Sequence, residues 1–474
     1  MLTRRELIRL GLLGGAAAAL PLERLAALAS DSDHDSPGYA FGGNSPGSPP
    51  VVPFQALLPI PPVLQPVSSD ATTDFYEVVM REAQAEILPG RLTPIWGYNG
   101  LYPGPTIRAR QGRRAVVRQI NQVPEDTAVH LHGAKVAPEH DGHPVHRIPP
   151  GTFRDFDYPN QQLGLTMWYH DHVIHKTAPH LYRGLAAFYL LEGEDEAALN
   201  LPSGPYDIPV LIQDRLFNAD GSLSYPGPVH GFYGDTIVVN GKAQPRLEVA
   251  RRKYRIRLLN GSNHREYLLA FSPRVPASQI ASDGGLLPAP VPRSSIFMLP
   301  AERVELVVDF SAVPLGSRVE LQNLLGDAKT TQIMRFDVTR DEADPSQLPA
   351  ALRPLPAFGT PVRTRLFDLA FDQARQEWLI NGKGFDPERI DAVPRLDSTE
   401  IWQFTNRSDQ FHPIHLHLVQ FRILDRAGRP PQAFEAGLKD TVSVGPFETM
   451  RILVKFSGFT GPYVYHCHRL EHED

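Results

Sequence analysis

Residues 303–310, Arg303-Val-Glu-Leu-Val-Val-Asp-Phe310, alternate charged and apolar side chains between Pro300 and Pro314. Successive side chains of a β-strand point to opposite faces, so this order puts Val304, Leu306 and Val308 on one face and Arg303 and Glu305 on the other. That is the pattern of a half-buried sandwich strand. Similar runs recur between Gly/Pro punctuation: Phe75–Met80, Ala115–Ile120, Tyr254–Leu259 and Met450–Phe456. Of 474 residues 46 are Pro, about twice average usage, which disfavours long helices and favours strands joined by turns. The fold class read from this is all-β.

The length suggests about three domains. Soft boundaries set them at 70–200, 201–345 and 360–474, with a Pro-rich linker at 346–359. Residues 31–69 are rich in Ser, Asp, Gly and Pro and read as an extended tail lying over the first domain. Before them, Thr3-Arg4-Arg5-Glu6-Leu7-Ile8-Arg9 precedes a short apolar run, Leu10 to Leu20. This is the layout of a twin-arginine export signal over residues 1–30, which names the twin-arginine machinery as a partner and a periplasmic or extracellular location. The run is too short for a permanent membrane anchor. Lys and Arg number 47 against 53 Asp and Glu, a net charge of −6 with no basic stripe, so no nucleic-acid partner is expected. One Cys excludes an internal disulfide framework and any Cys-rich zinc or iron–sulfur site.

The histidines carry the chemistry. Among 18, four His-x-His pairs occur: His130/His132, His170/His172, His415/His417 and His466/His468. Chance would place fewer than one such pair in this chain. On a strand, residues i and i+2 share a face about 6.5–7 Å apart, so each pair offers two imidazoles to one metal cluster. Imidazole suits copper well. The single thiol, Cys467, lies between His466 and His468 and therefore on the opposite strand face; His412 and His472 can complete a His2Cys set, the ligand set of a blue-copper site. The bland alternative for Cys467 is a small buried hydrophobe.

The motifs HLHG (130–133), HDH (170–172), HPIHLH (412–417) and HCHRLEH (466–472) resemble those of the multicopper oxidases. YNGLYPGPTIRARQG (98–112), GDTIVVNGKAQPRLEVARRKYRIRLLNGSN (234–263) and SDGGLL with PAERVELVVDF (282–310) are similar to the group of spore-coat laccase, bilirubin oxidase and phenoxazinone synthase. The resemblance implies three cupredoxin-like Greek-key β-sandwich domains and four copper ions. It assigns type 2 copper to His130 and His415, and a type 3 pair to His132, His170, His172, His417, His466 and His468. Type 1 copper falls to His412, Cys467 and His472. It further implies a laccase-type oxidase that takes electrons from a small-molecule or metal-ion reductant through the exposed edge of His472 and reduces dioxygen to water. Asp141 and Glu473 match acidic positions assigned proton relay, with solvated carboxylates as the alternative reading. Six scattered Met argue against dedicated cuprous-ion oxidation. Bilirubin oxidase or phenoxazinone synthase-like activity is the alternative within the group, and a copper-free cupredoxin scaffold of the cell envelope the alternative outside it. The family's axial type 1 ligand would fall at position 477, past Asp474, so truncation of the third domain is expected. His140, His143 and His146 read as a solvated loop, the other reading being a substrate or metal contact, and His180 has no assigned role.

Overall fold

The computed structural model describes residues 47–474 apart from Pro228. The segment expected to be an export signal and the first part of the tail lie outside the described residues. Strands dominate, as the Pro-rich alternating sequence requires, and all five runs quoted above lie within strands, except Phe310 and Phe456, which end just past theirs. No helix among the described residues is long and apolar enough to cross a membrane.

Three β units follow one another, each with its own apolar core. The first surrounds Val78, Val117, Phe156 and Tyr189. The second surrounds Val210, Leu258 and Leu306, and the third Phe404, Ile414 and Ile452. One topology repeats in all of them. Thr73–Ala85 runs parallel to Arg114–Asn121, Asp207–Phe217 to Lys253–Asn260, and Arg363–Asp372 to Thr399–Asn406. A parallel pair cannot be closed by a tight hairpin, so in each unit a longer connection joins the two strands.

The strand Arg303–Asp309 departs from the half-buried expectation. Val304, Leu306 and Val308 enter the core, but Arg303 and Glu305 are 0% and 1% exposed. The cause is the packing of the eight-stranded sheet of the second unit against its neighbours on its polar face. There the alternating charges neutralise one another. Arg257 donates to Asp207 at 2.6 Å and to Glu305 at 2.9 Å, and Arg255 donates to Glu305 at 2.7 Å and Glu196 at 3.0 Å. Thr166 of the first unit joins the cluster, donating to Glu305 at 2.7 Å. Buried charges survive only in such fully paired arrangements.

The tail also differs from expectation. Its backbone first docks on the second unit, with Phe54 and Leu58 amides donating to Gln244 and Arg246 carbonyls, and only then bridges Val63 to Thr106 of the first. Leu58 is 5% exposed and belongs to the second unit's core, so the tail binds two units rather than lying over one.

Burial works against ionisation of Asp207, but the Arg257 and Arg255 guanidiniums outweigh it and hold its pKa at about 2. A depressed carboxyl contributes stability above its unfolded pKa that is lost as pH falls through the folded one. Asp207 is therefore expected to contribute about 2 kcal/mol, lost between about pH 4 and pH 2. Urea unfolding of Asp207→Asn is expected to show lower stability at pH 7 and a flatter acid limb than the parent.

Candidate metal centre

Two antiparallel strand pairs build the site, and register aligns their histidines. Val129–His132 pairs with Leu165–Asp171, placing His130 opposite His170. His412–Leu416 pairs with Tyr465–Cys467, placing His415 opposite His466 and Ile414 opposite Cys467. Directly opposed residues share a face, so His415 and His466 face one way while Cys467 and His412 face the other. The first pair belongs to the first unit and the second to the third, and their histidine faces meet.

Three histidine triplets result: His130, His132 and His415; His132, His170 and His468; His172, His417 and His466. Within each, the candidate ligand atoms lie within 4.8 Å of one another. Most rings are anchored through Nδ1, leaving Nε2 inward. His130 Nδ1 is 2.6 Å from the Asp141 carbonyl, His415 Nδ1 is 2.9 Å from that of Asp440, and His170 Nδ1 is 2.8 Å from that of Asp171. His132 is reversed: its Nε2 sits 3.0 Å from both Asp440 Oδ1 and Thr441 Oγ1, and its buried Nδ1 has no partner. His170 Nε2 and both nitrogens of His468 are likewise buried without partners. Burial, followed by neighbouring imidazoles, pushes His130, His172, His415 and His468 well below the usual histidine range. Neutral imidazoles with inward lone pairs are the form that binds metal, so this nest fits a group of metal ions.

Both sequence-selected carboxylates lie against it. Asp141 is 1% exposed, and its Oδ2 is 2.8 Å from His417 Nδ1, so the solvated-loop alternative fails. Glu473 is on the short terminal helix Leu470–Glu473; its Oε1 is 3.1 Å from His172 Nδ1 and its Oε2 3.1 Å from His466 Nδ1.

Beneath the nest, Arg303 completes the reading of its strand. It donates to Asp440 Oδ1 at 2.7 Å and also to Oδ2, and Asp440 holds His132. Its own amide donates to Asp283, which pairs with Lys439 at 2.8 Å. A charge network joining the second and third units thereby fixes one ligand-type histidine of the first, His132. His180 gains a physical account here. Its Nδ1 is 3.1 Å from Asp171 Oδ1 and its Nε2 3.4 Å from Glu125. Burial opposes charge on His180, but Asp171 and Glu125 outweigh it and raise its pKa. Asp171 in turn accepts from the amides of Ala128 and Val173, tying the turn between His170 and His172 to the neighbouring strand.

On the opposite face, Cys467 Sγ is 3.4 Å from His412 Nδ1 and 3.8 Å from His472 Nδ1. Burial pushes the thiol up to about 12, so it keeps its proton until a metal displaces it. His472, expected to present an exposed edge, is half-buried. Its Nε2 is buried, Trp378 stacks on it at 4.3 Å between ring centroids, and His264 meets it edge-on at 5.5 Å.

Of the other histidines, His143 is 7% exposed rather than solvated, 5.3 Å from the His146 ring, and burial lowers its pKa to about 4. His140 and His146 are half-buried. Sequence reading missed Trp378, His264, Asp440 and the reach of Arg303. No motif marks the first three, and Arg303 showed only as a polar position on a strand.

Removing Arg303 leaves Asp440 as an unpaired buried charge, which typically costs about 3–5 kcal/mol. Arg303→Met is expected to lose stability on that scale in denaturant unfolding of the metal-free protein. Arg303→Met with Asp440→Asn is expected to recover part of it, which a double-mutant cycle measures.

The multicopper oxidase family matches residues 79–196 and again residues 359–474. The chain is 37% identical to a laccase from Bacillus subtilis (strain 168), covering 89% of this chain and 96% of the relative. It is also 37% identical to a bilirubin oxidase from Albifimbria verrucaria, covering 98% of this chain and 87% of the relative. The crystal structure of a laccase from Pediococcus acidilactici matches with a TM-score of 0.84 at 34% identity, covering 92% of this chain and 95% of that one. These matches agree with three cupredoxin-like sandwiches and a buried histidine nest: the chain belongs to the multicopper oxidase family and is an oxidoreductase.

Proposed function

We propose that the protein is a laccase-type oxidase that takes single electrons from phenols and aromatic amines and reduces dioxygen to two waters. One observation carries this reading. Cys467 groups with His412 and His472 on one strand face while its covalent neighbours His466 and His468 enter the histidine nest on the other. A thiolate with two imidazoles suits blue copper. In this reading His412, Cys467 and His472 hold type 1 copper, and His130 and His415 type 2. His132, His170 and His468 hold one member of the type 3 pair, and His172, His417 and His466 the other. Bound copper supplies one-electron redox chemistry and the place where dioxygen is reduced.

Electrons leaving the Cys467 set reach the nest along the peptide and side chains of His466 and His468. Reducing dioxygen to water also consumes four protons, and a dry pocket delivers them slowly without a positioned acid. We assign Asp141 and Glu473 to this task, a reading supported by the contact of Asp141 Oδ2 with His417 and of the two Glu473 oxygens with His172 and His466. We also read residues 1–30 as a twin-arginine signal, with a periplasmic or extracellular mature protein, from Arg4-Arg5 and the short apolar run behind them. The 37% identical bilirubin oxidase keeps bilirubin oxidase-type activity as a second reading.

The visible spectrum and copper content of protein grown with copper test the proposal. Four coppers per chain with an intense blue thiolate-to-copper band are expected. Copper without the band removes the type 1 assignment, and absence of copper favours a scaffold. Cys467→Ser is expected to lose the blue band and one copper while keeping the others. Glu473→Gln is expected to retain the blue colour and slow reoxidation of the reduced protein by dioxygen. Unchanged reoxidation at every pH removes Glu473 from the relay.

A further inference from the structure

Arg469 follows the His466-Cys467-His468 run and precedes the terminal helix Leu470–Glu473, and it is 2% exposed. Taking such a charge out of water is costly unless partners replace the solvent. Here the partners are unequal. Nη1 donates to His264 Nε2 and to Gln410 Oε1, both at 2.8 Å, and burial keeps the His264 ring neutral. Nη2 reaches a carboxylate oxygen, Glu266 Oε2, at 3.3 Å; Glu266 is half-buried and also accepts from Tyr233. His264 is the ring that meets His472 edge-on at 5.5 Å, and Gln410 lies two residues before His412. The neutral contacts of the guanidinium therefore lie toward the Cys467 set, while its counter-charge stands nearer solvent. On the other side of His264, Glu471 Oε2 is 3.9 Å from Nδ1.

We propose that Arg469 sets the electron affinity of the His412–Cys467–His472 set: its buried positive charge opposes the oxidised form of copper bound there and so raises the reduction potential. The inference rests on the reading of these three residues as a type 1 site. Copper(II) with a thiolate carries one net positive charge, and copper(I) with a thiolate carries none. Each electron that a reductant supplies therefore removes the repulsion between the set and the guanidinium, and its passage to the nest restores it. In a dry surrounding this repulsion is far stronger than between charges in water. Arg469 acts through this field and touches neither the metal ligands' donor atoms nor the reductant, so it is a positioning residue for charge rather than a catalytic one.

Spectroelectrochemical titration of the blue band in the copper-loaded protein tests this without turnover, all variants being compared at one pH. Arg469→Met is expected to lower the potential by about 59 mV or more, a tenfold change in the ratio of the two copper states. Arg469→Lys keeps the charge and is expected to keep most of the parent's value. Glu266→Gln removes the counter-charge and is expected to raise the potential. Shifts of opposite sign from the two ends of one ion pair mark a charge effect, because loosened packing around His264 has no reason to follow the sign of the charge removed. An unchanged potential in Arg469→Met overturns the proposal, as do equal falls in Arg469→Met and Arg469→Lys, or no rise in Glu266→Gln. Glu266 is half-buried, so its variant decides the matter even where Arg469→Met does not fold. A parent that shows no blue band defeats the type 1 reading and this inference with it, whereas a blue band whose potential ignores these charges defeats the inference alone.

Discussion

The two-residue period of a β-strand is the constraint on which this molecule depends. At His466-Cys467-His468 it sends one side chain to one face of a narrow three-stranded sheet and its two neighbours to the other. Two chemically distinct centres therefore share a wall one strand thick, joined by peptide bonds rather than by a diffusing carrier. Both the soft thiol site and the imidazole nest follow from register alone. A slip of one residue would put the thiol among the imidazoles and the imidazoles in the core.

Holding so many imidazoles together is an electrostatic problem, and burial eases it by favouring the neutral form of His130, His132, His170, His172, His415 and His468, while Glu473 raises the pKa of His466 against its own burial. The cost moves to orientation, since a neutral ring must be told which nitrogen faces inward. Backbone carbonyls of Asp141, Asp171 and Asp440 do this for three rings, and the Asp440 carboxylate reverses a fourth, His132. Asp440 can serve because Arg303 meets its charge. The second unit, which lends no histidine to the nest, thus contributes the cation that orients one.

The all-β class and the strands could be read from alternation, and the histidines from their spacing, because both are local patterns with one strong geometric meaning. What could not be read was which polar face meets solvent. Arg303 and Glu305 look like surface residues in a single strand, and only the packing of one unit on another buries them. The tail misled for a similar reason: Leu58 is one apolar residue among prolines, and nothing local says that it fills the second core. Trp378 left no signal either, because a lone aromatic acquires meaning only from the ring it lies against, here nearly a hundred residues away. Resemblance supplied the sorting of ligands into copper types, which spacing alone left open.

The nest joins residues far apart along the chain: His130 and His415 face each other at 3.4 Å across 285 positions of sequence. Contacts of such separation carry a larger loop-closure cost than those within a unit, which favours closure of each unit's own core first. Until then the chain carries two separate half-nests, each with two His-x-His pairs on neighbouring strands. Imidazole pairs of this kind do not by themselves distinguish copper from zinc, since selectivity comes from the completed geometry. The fidelity of metal loading is therefore a kinetic contest between docking of the first and third units and capture of whatever ion is at hand.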